Sequence, residues 1–520
     1  MKTMIQKSSF WLLLLFMVSA INAQEKQNVS KWPRGITYEI FVQSFADSDG
    51  DGIGDIKGMT SKLDYLKDLG VEGIWLMPIN PSSSYHKYDV NDYYDIHPDY
   101  GTIDDFKEFV KEAHVRNIKV VMDMVLNHSG SRNLWFKEAL KDEHIKYWDY
   151  YVWAHKDDPK VQPVVITNPD GTTRRERSNW NTVPNSDYLY FSHFGRNMPD
   201  LNFDNPKLQQ EVFKIGRFWI KDVGVDGFRL DAARHVFPDE RATDNHRWWE
   251  YFLKEMQAVN KDVYIVGEVW AEADIVGPYL KGIPALFNFD MGGLIIEAVN
   301  DGNGTRLASR HKEIEEFYKE INPDYIDATF LTNHDQNRIM SSVKNNSDKA
   351  RMAAALLFTL PGSPYIYYGE EIGMLGMKPD PNIREPFIWD KKENDRIRAT
   401  WIKPRFSTDS TVISVNDQIK DNNSLLNHYK TLIKLRNTSY ALTYGDLLVV
   451  NQKNPALSAF LREDQKESLL VIHNLSSKNQ TFNLPQDLKS FNKVYFKNKE
   501  ARVSNNQISV PAYSTVILNK

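Results

Sequence analysis

Cysteine is absent from the 520-residue chain. That excludes disulfides, Cys/His zinc spacings and the lipobox cysteine that anchors exported lipoproteins. An excess of charge of one sign is missing too: 64 Lys and Arg stand against 69 Asp and Glu, a formal net charge of −5. Without a basic field, nucleic acid and anionic membrane are poor partners. Long apolar runs are scarce. The exception, "FWLLLLFMVSA" (Phe10 to Ala20), is too short to span a bilayer comfortably. With Lys2 and Lys7 before it and small residues at Ala20 and Ala23, it reads as a signal peptide, 1–23, removed on export. The expectation is an exported protein, periplasmic or extracellular, free of membrane once the signal is gone. Internal repeats on a solenoid period and low-complexity tracts are also lacking. Abundant instead are aromatics, with 13 Trp and 25 Tyr in a chain that is 12% aromatic. Such rings can stack on sugars, although a large core with wet rims accounts for most of them.

Eight short apolar runs end in polar or glycine residues, with amphipathic segments between them. They are Ile36–Phe45, Val71–Ile79, Asn117–His128, Val225–Asp231, Asp262–Trp270, Pro284–Met291, Ile326–Asp335 and Ser363–Glu371. Between the second and third, Phe106, Phe109, Val110 and Ala113 recur at helical spacing, and Thr102 with Asp105 resembles a capping box. Near-continuous apolar strands alternating with amphipathic helices indicate a parallel sheet, and eight such units a (β/α)8 TIM barrel, an α/β fold.

About 75 residues separate His128 from the helix beginning near Pro206, too many for a structureless loop, so an inserted domain B follows strand 3, with a hairpin turn at "NPDGTT". After the helix Ser424–Asn437 the texture changes to short alternating strands, a C-terminal all-β domain. The expected division is barrel domain A over 29–128 and 204–440, domain B over 129–203, and a β-sandwich domain C over 441–520.

Polar residues at the C-terminal ends of barrel strands face the active site. Here these are Asn127 and His128, Arg229 and Asp231, Glu268, then His334 and Asp335. Any one carboxylate could simply cap the next helix, but four strands ending this way point to chemistry. The group suits glycosidic cleavage, in which an ionised carboxylate and a protonated one flank the bond, about 5–5.5 Å apart in a retaining enzyme. Arg229, two residues before Asp231 and so on the same strand face, can hold that nucleophile ionised.

These stretches, "DMVLNH" (123–128), "GFRLDAARH" (227–235), "GEVW" (267–270) and "TNHDQNR" (332–338), resemble in order four motifs of the α-amylase family, glycoside hydrolase family 13. The resemblance implies a retaining mechanism with Asp231 as nucleophile, Glu268 as general acid/base, and Asp335 gripping sugar hydroxyls. It places Arg229, His128 and His334 around the same sugar, with Tyr88 as the platform beneath it; relatives often carry Gly where this chain has Lys87. "NMPDLN" (197–202) and the stretch Glu371–Trp389 resemble the subfamily intermediate between oligo-1,6-glucosidases and neopullulanases. That subfamily, "SYHKYD" (84–89) and the pair Arg234–His235 after the nucleophile favour an endo-acting α-amylase cleaving α-1,4 bonds in starch and maltodextrins. An exo-α-glucosidase, a neopullulanase or cyclomaltodextrinase, and a glucanotransferase are alternatives on this fold. A non-catalytic starch-binding protein is the alternative of another class. A monomer is expected.

The stretch "DSDGDGIGD" raises a separate question. Counted from Asp47, it puts Asp49, Asp51 and Asp55 at positions 3, 5 and 9 of a calcium loop, Gly52 at 6 and the Ile53 carbonyl at 7. Position 12, where a sensor loop needs Glu, is Gly58, and a strand precedes the loop instead of a helix. It resembles the structural calcium loop after the first barrel strand of many family members. Asn127, Asp200 and the His235 carbonyl match positions of a second family calcium site.

Overall fold

The computed structural model describes residues 27–162, 165–167, 172–175, 178–504 and 506–520. The expected signal peptide and the turn of "NPDGTT" lie outside the described residues. Eight parallel strands close a barrel: β1 (Thr37–Ile40), β2 (Gly73–Leu76) and β3 (Lys119–Met124) come before the insertion. The insertion carries β4 (Trp153–His155), β5 (Val165–Thr167), β6 (Thr173–Arg175), β7 (Trp180–Thr182) and β8 (Tyr188–Phe191). These form an antiparallel sheet in the order β4-β8-β7 and a separate β5-β6 pair. The barrel resumes with β9 (Gly227–Leu230), β10 (Tyr264–Gly267), β11 (Ala285–Phe287), β12 (Ile326–Phe330) and β13 (Ser363–Tyr367), and β13 pairs with β1 to close it. All eight expected strands are present in order. The first stops well short of its apolar run, because the chain turns into a helical segment at Val42–Phe45.

The helices form for local reasons. Thr102 accepts from the Asp105 amide while Asp105 reaches back to the Thr102 amide, a reciprocal cap that starts helix Ile103–Val115. Phe106, Phe109, Val110 and Ala113 then face inward, all buried. Inside the barrel Trp75, Val121, Tyr264, Phe287, Phe330 and Tyr365 pack against one another, so this is a filled core and not a pore.

Strands β14 (Asp446–Val449), β15 (Leu457–Glu463), β16 (Ser468–Asn474), β17 (Gln480–Asn483), β18 (Lys493–Lys497), β19 (Arg502–Ser504), β20 (Gln507–Val510) and β21 (Ser514–Asn519) make a five-stranded and a three-stranded sheet. A core of their own, including Leu470, Ile472, Phe482, Ile508 and Val516, lies between them. A buried arginine ties this unit to the barrel through a backbone carbonyl: Arg462 donates to Thr359 O at 2.6 Å.

Candidate active site

Strand register assembles the site. Asp123 on β3 lies opposite Arg229 on β9, so both side chains enter the barrel at one level. Past Leu230, paired with Gly267, the chain delivers Asp231 and Glu268 to the same rim. Arg229 is wholly buried and serves three carboxylates. Its Nη1 donates to Asp231 Oδ1 at 2.6 Å and to Asp123 at 3.0 and 3.1 Å; its Nη2 donates to Glu268 Oε2 at 2.5 Å. The Ala232 amide also donates to Glu268, at 3.2 Å.

Opposite them, His334 sits between acceptors. Its Nδ1 is 2.6 Å from Glu39 Oε1 on β1, and its Nε2 is 2.6 Å from the Tyr88 hydroxyl and 3.1 Å from Asp335 Oδ2. The imidazole stacks on the Tyr88 ring at 5.6 Å. Arg384 grips the other side of Asp335, Nη2 to Oδ1 at 2.9 Å, and reaches Asp380 at 3.4 Å. His128 donates its Nε2–H to the Tyr88 carbonyl at 3.1 Å, which fixes the platform's backbone.

A cavity of about 320 Å³ opens over these groups, lined by Tyr88, His128, Asp231, Arg234, His235, Glu268 and Asp335 among others. The geometry therefore unites the three catalytic candidates and places Tyr88, His128 and Arg234 in the wall. Arg229 and His334 sit behind it, touching the carboxylates. Arg234 is also paired with Asp239 through two contacts, at 2.6 and 2.9 Å. Sequence reasoning missed His86, Phe194, Met198, Asp380 and Arg384 as lining residues. Arg384 and Asp380 fall in the quoted stretch Glu371–Trp389, His86 in "SYHKYD" and Met198 in "NMPDLN", without being singled out there; Phe194 carried no signal. Trp270 lines the cavity, half exposed and stacked on Phe289 at 4.6 Å. Trp153 stacks on Trp148 at 4.0 Å, and Trp180 packs against Phe191; neither lines it. Asp89 accepts from the Ser82 and Ser84 hydroxyls.

Electrostatics follow from burial. Desolvation lifts the Asp231 carboxyl to about 8, with Glu268 and Asp123 adding to the rise and Arg229 opposing it. Burial also takes Asp123 to about 6 against the pull of Arg229. Asp335 goes the other way: burial would raise it, but His334 and Arg384 hold it well below the usual carboxylate range. For His334 burial would remove the proton, and Asp335 and Glu39 outweigh that, carrying it to about 10.

In the loop after β1, Asp47, Asp49 and Asp55 bring carboxylate oxygens within 4.8 Å of one another. Asp51 stands outside this cluster, its oxygen accepting from the Ile53 amide at 2.7 Å. Gly58 explains why no Glu occupies position 12: a Cβ there would lie 2.1 Å from the Ala46 carbonyl oxygen. Three hard carboxylate oxygens suit calcium. At the second expected site, Asn127 and Asp200 are neighbours through the His128–Asp200 bridge, and Asn127 Oδ1 is buried without a partner. Asp200 is lifted by burial to about 7, and the His235 ring stacks on His193 at 4.3 Å.

A filled parallel barrel whose strand ends converge paired carboxylates on one guanidinium is the framework of a barrel glycoside hydrolase. A family model described as alpha amylase, catalytic domain, matches residues 39–445, and one described as the alpha-amylase SusG C-terminal domain matches 457–517. The chain belongs to the α-amylase family, glycoside hydrolase family 13. It is 40% identical to Alpha-amylase 3 of Dictyoglomus thermophilum, over 98% of this chain and 97% of that one. A 4-alpha-glucanotransferase of Thermotoga neapolitana is 35% identical over 86% of this chain and 97% of its own. The crystal structure of an alpha-amylase from H. orenii superposes with a TM-score of 0.84 at 42% identity, covering 94% of this chain and 99% of that one.

Proposed function

We propose that the protein is an exported, endo-acting α-amylase that hydrolyses internal α-1,4 bonds of starch and maltodextrins with retention. The observation carrying the chemistry is the bridging of Asp231 and Glu268 by the single guanidinium of Arg229. A shared guanidinium favours the short carboxyl separation of a retaining pair, about 5–5.5 Å, over the wider gap that leaves room for an attacking water. With three carboxylates around one cation, the desolvated cluster keeps a proton near neutral pH. Double displacement needs that proton on Glu268 and the charge on Asp231. Arg229 at 2.6 Å favours the latter, as does positive charge growing at the anomeric carbon. Asp231 then attacks that carbon while Glu268 protonates the leaving oxygen, and Glu268 afterwards takes a proton from the water that releases the sugar. Asp335, held ionised, accepts from hydroxyls of the same ring over the Tyr88 face.

The domain division at 129–203 and 441–520 is part of this reading, as is a monomer. Asp47, Asp49 and Asp55 are the residues we propose to hold calcium, which would fix the loop between β1 and helix Ile56–Thr60 without entering the chemistry. The endo reading is tested by a product time course from a long maltooligosaccharide. Mid-length products first support it; glucose alone means exo attack, and longer chains mean transfer, for which the glucanotransferase relative gives a specific reason.

A further inference from the structure

We propose that Glu39, on the first barrel strand, is a positioning residue for the proposed reaction: it fixes His334 as a doubly protonated ring whose second N–H steadies Asp335 against the sugar. Both ring nitrogens face oxygens. Nδ1 lies 2.6 Å from the Glu39 carboxylate, while Nε2 lies 3.1 Å from that of Asp335. A neutral imidazole with its N–H on Nδ1 would set the Nε2 lone pair against the Asp335 carboxylate and would need the Tyr88 hydroxyl proton, 2.6 Å away; with that proton on Asp123, at 3.3 Å, the imidazolium serves Glu39, Tyr88 and Asp335 together. Glu39 and His334 are each at most 2% exposed, so water cannot substitute for either partner. The ring stacks on the Tyr88 face and meets Trp75 edge-on. The charge thus made lies beside the carboxylate that must stay ionised to accept sugar hydroxyls.

Other charged and titratable groups surround the pair. Tyr88 and Asp123 face His334 from the platform loop and β3, Arg229 acts on the neighbouring Asp335 from β9, and Arg384 donates from Nε to the His334 carbonyl at 3.0 Å. Tyr367 and Glu370 approach Glu39 from β13 and just beyond it. None of these takes the Nδ1 contact, which is made to Glu39. The same charge balance carries His334 to about 10.

Glu39→Gln keeps the shape and an accepting oxygen but removes the charge. The test is a nitrogen-15 NMR titration of histidine-labelled full-length protein, with His334 assigned through His334→Gln, alongside pH profiles of kcat and KM on a maltooligosaccharide. Wild type is expected to hold both ring protons past pH 9. In Glu39→Gln the His334 titration should fall by at least about one pH unit, and kcat at pH 8 by about tenfold with KM little changed. Glu39→Asp, which retains the charge, should restore much of the alkaline limb. An unchanged His334 titration in Glu39→Gln would overturn the proposal. So would a wild-type His334 that loses a proton between pH 6 and 7, a result that needs no variant to fold. The kinetic arm rests on the α-glucanase reading, whereas the titration uses no substrate, so failure of one is separable from failure of the other.

Discussion

Arg229 holds Asp123, Asp231 and Glu268 together, and substitutions at the last two separate catalysis from stability. Asp231→Asn and Glu268→Gln remove the nucleophile and the proton carrier, and each should lower kcat on amylose by at least about 10³-fold. Stability should move the other way for Asp231. Burial of Asp231 among Asp123 and Glu268 lifts release of the cluster's proton to about 8 in the fold, against about 3.9 for an Asp in the unfolded chain. The folded state therefore binds the extra proton, and stability is lost as pH rises between these values. Asp231→Asn removes that loss, so its Tm at pH 8 should equal or exceed wild type. A lower Tm with retained activity would contradict both roles. Lys87 shows a different residue-scale compromise. It adopts a positive φ of 65°, a conformation that suits the Gly of relatives. Its side chain is buried over the Tyr100 ring, and desolvation lowers its ammonium to about 8. Lys87→Gly would relieve the backbone and lose the packing.

At the scale of elements, the Asp/Gly spacing of the loop after β1 is a local pattern that needs no knowledge of the fold; Asp47, Asp49 and Asp55 do come together there, whereas Asp51 does not join them. The carboxylates were legible for a related reason: each ends an apolar run, so strand periodicity alone placed Asp231, Glu268 and Asp335 at the rim. Glu39 was not legible. The apolar run containing it reads as one strand to Phe45, whereas the strand stops at Ile40 and Glu39 points to a histidine 295 positions away. Arg384 and Asp380 were hidden similarly, since contact across the barrel has no period in sequence. The loop gives its own prediction. If calcium joins Asp47, Asp49 and Asp55, removing it with a chelator should lower Tm, and saturating ion at about 100 times Kd should restore about 2.7 kcal/mol. Asp47→Asn should reproduce the drop and abolish the calcium response. Calorimetry showing no shift with either would remove the ion from the fold.

For the whole molecule, buried titratable groups set an asymmetric dependence of stability on pH. Burial raises Asp200 and Asp327 to about 7, and Asp231 and Glu370 to about 8. His334 stands at about 10 against an unfolded value of about 6.5. Between pH 6.5 and 9 the folded chain thus binds more protons than the unfolded one at every one of these sites. These sites lower stability as pH rises through that window, opposed near its upper end by Lys87, which desolvation holds at about 8. Below 6.5 a second set acts in the opposite sense. Desolvation holds His128, His235, His311 and His428 near 4 and His473 near 3, so these stay neutral in the fold while the unfolded chain protonates them. Their contribution is lost as pH falls from 6.5 toward 4. It opposes the continuing gain from the buried carboxyls, so the two sets flatten the curve there. Thermal unfolding followed from pH 5 to 9 should show Tm nearly level up to about 6.5 and then a steady decline. His473, on β16 of the five-stranded sheet between Thr359 and Thr515, is remote from the active-site cavity. His473→Gln should reduce the acid-side loss without moving the alkaline decline or the pH profile of kcat. A Tm that instead rose from pH 6.5 to 9 would mean that the buried carboxyls are ionised in the fold and compensated by charges other than those placed here.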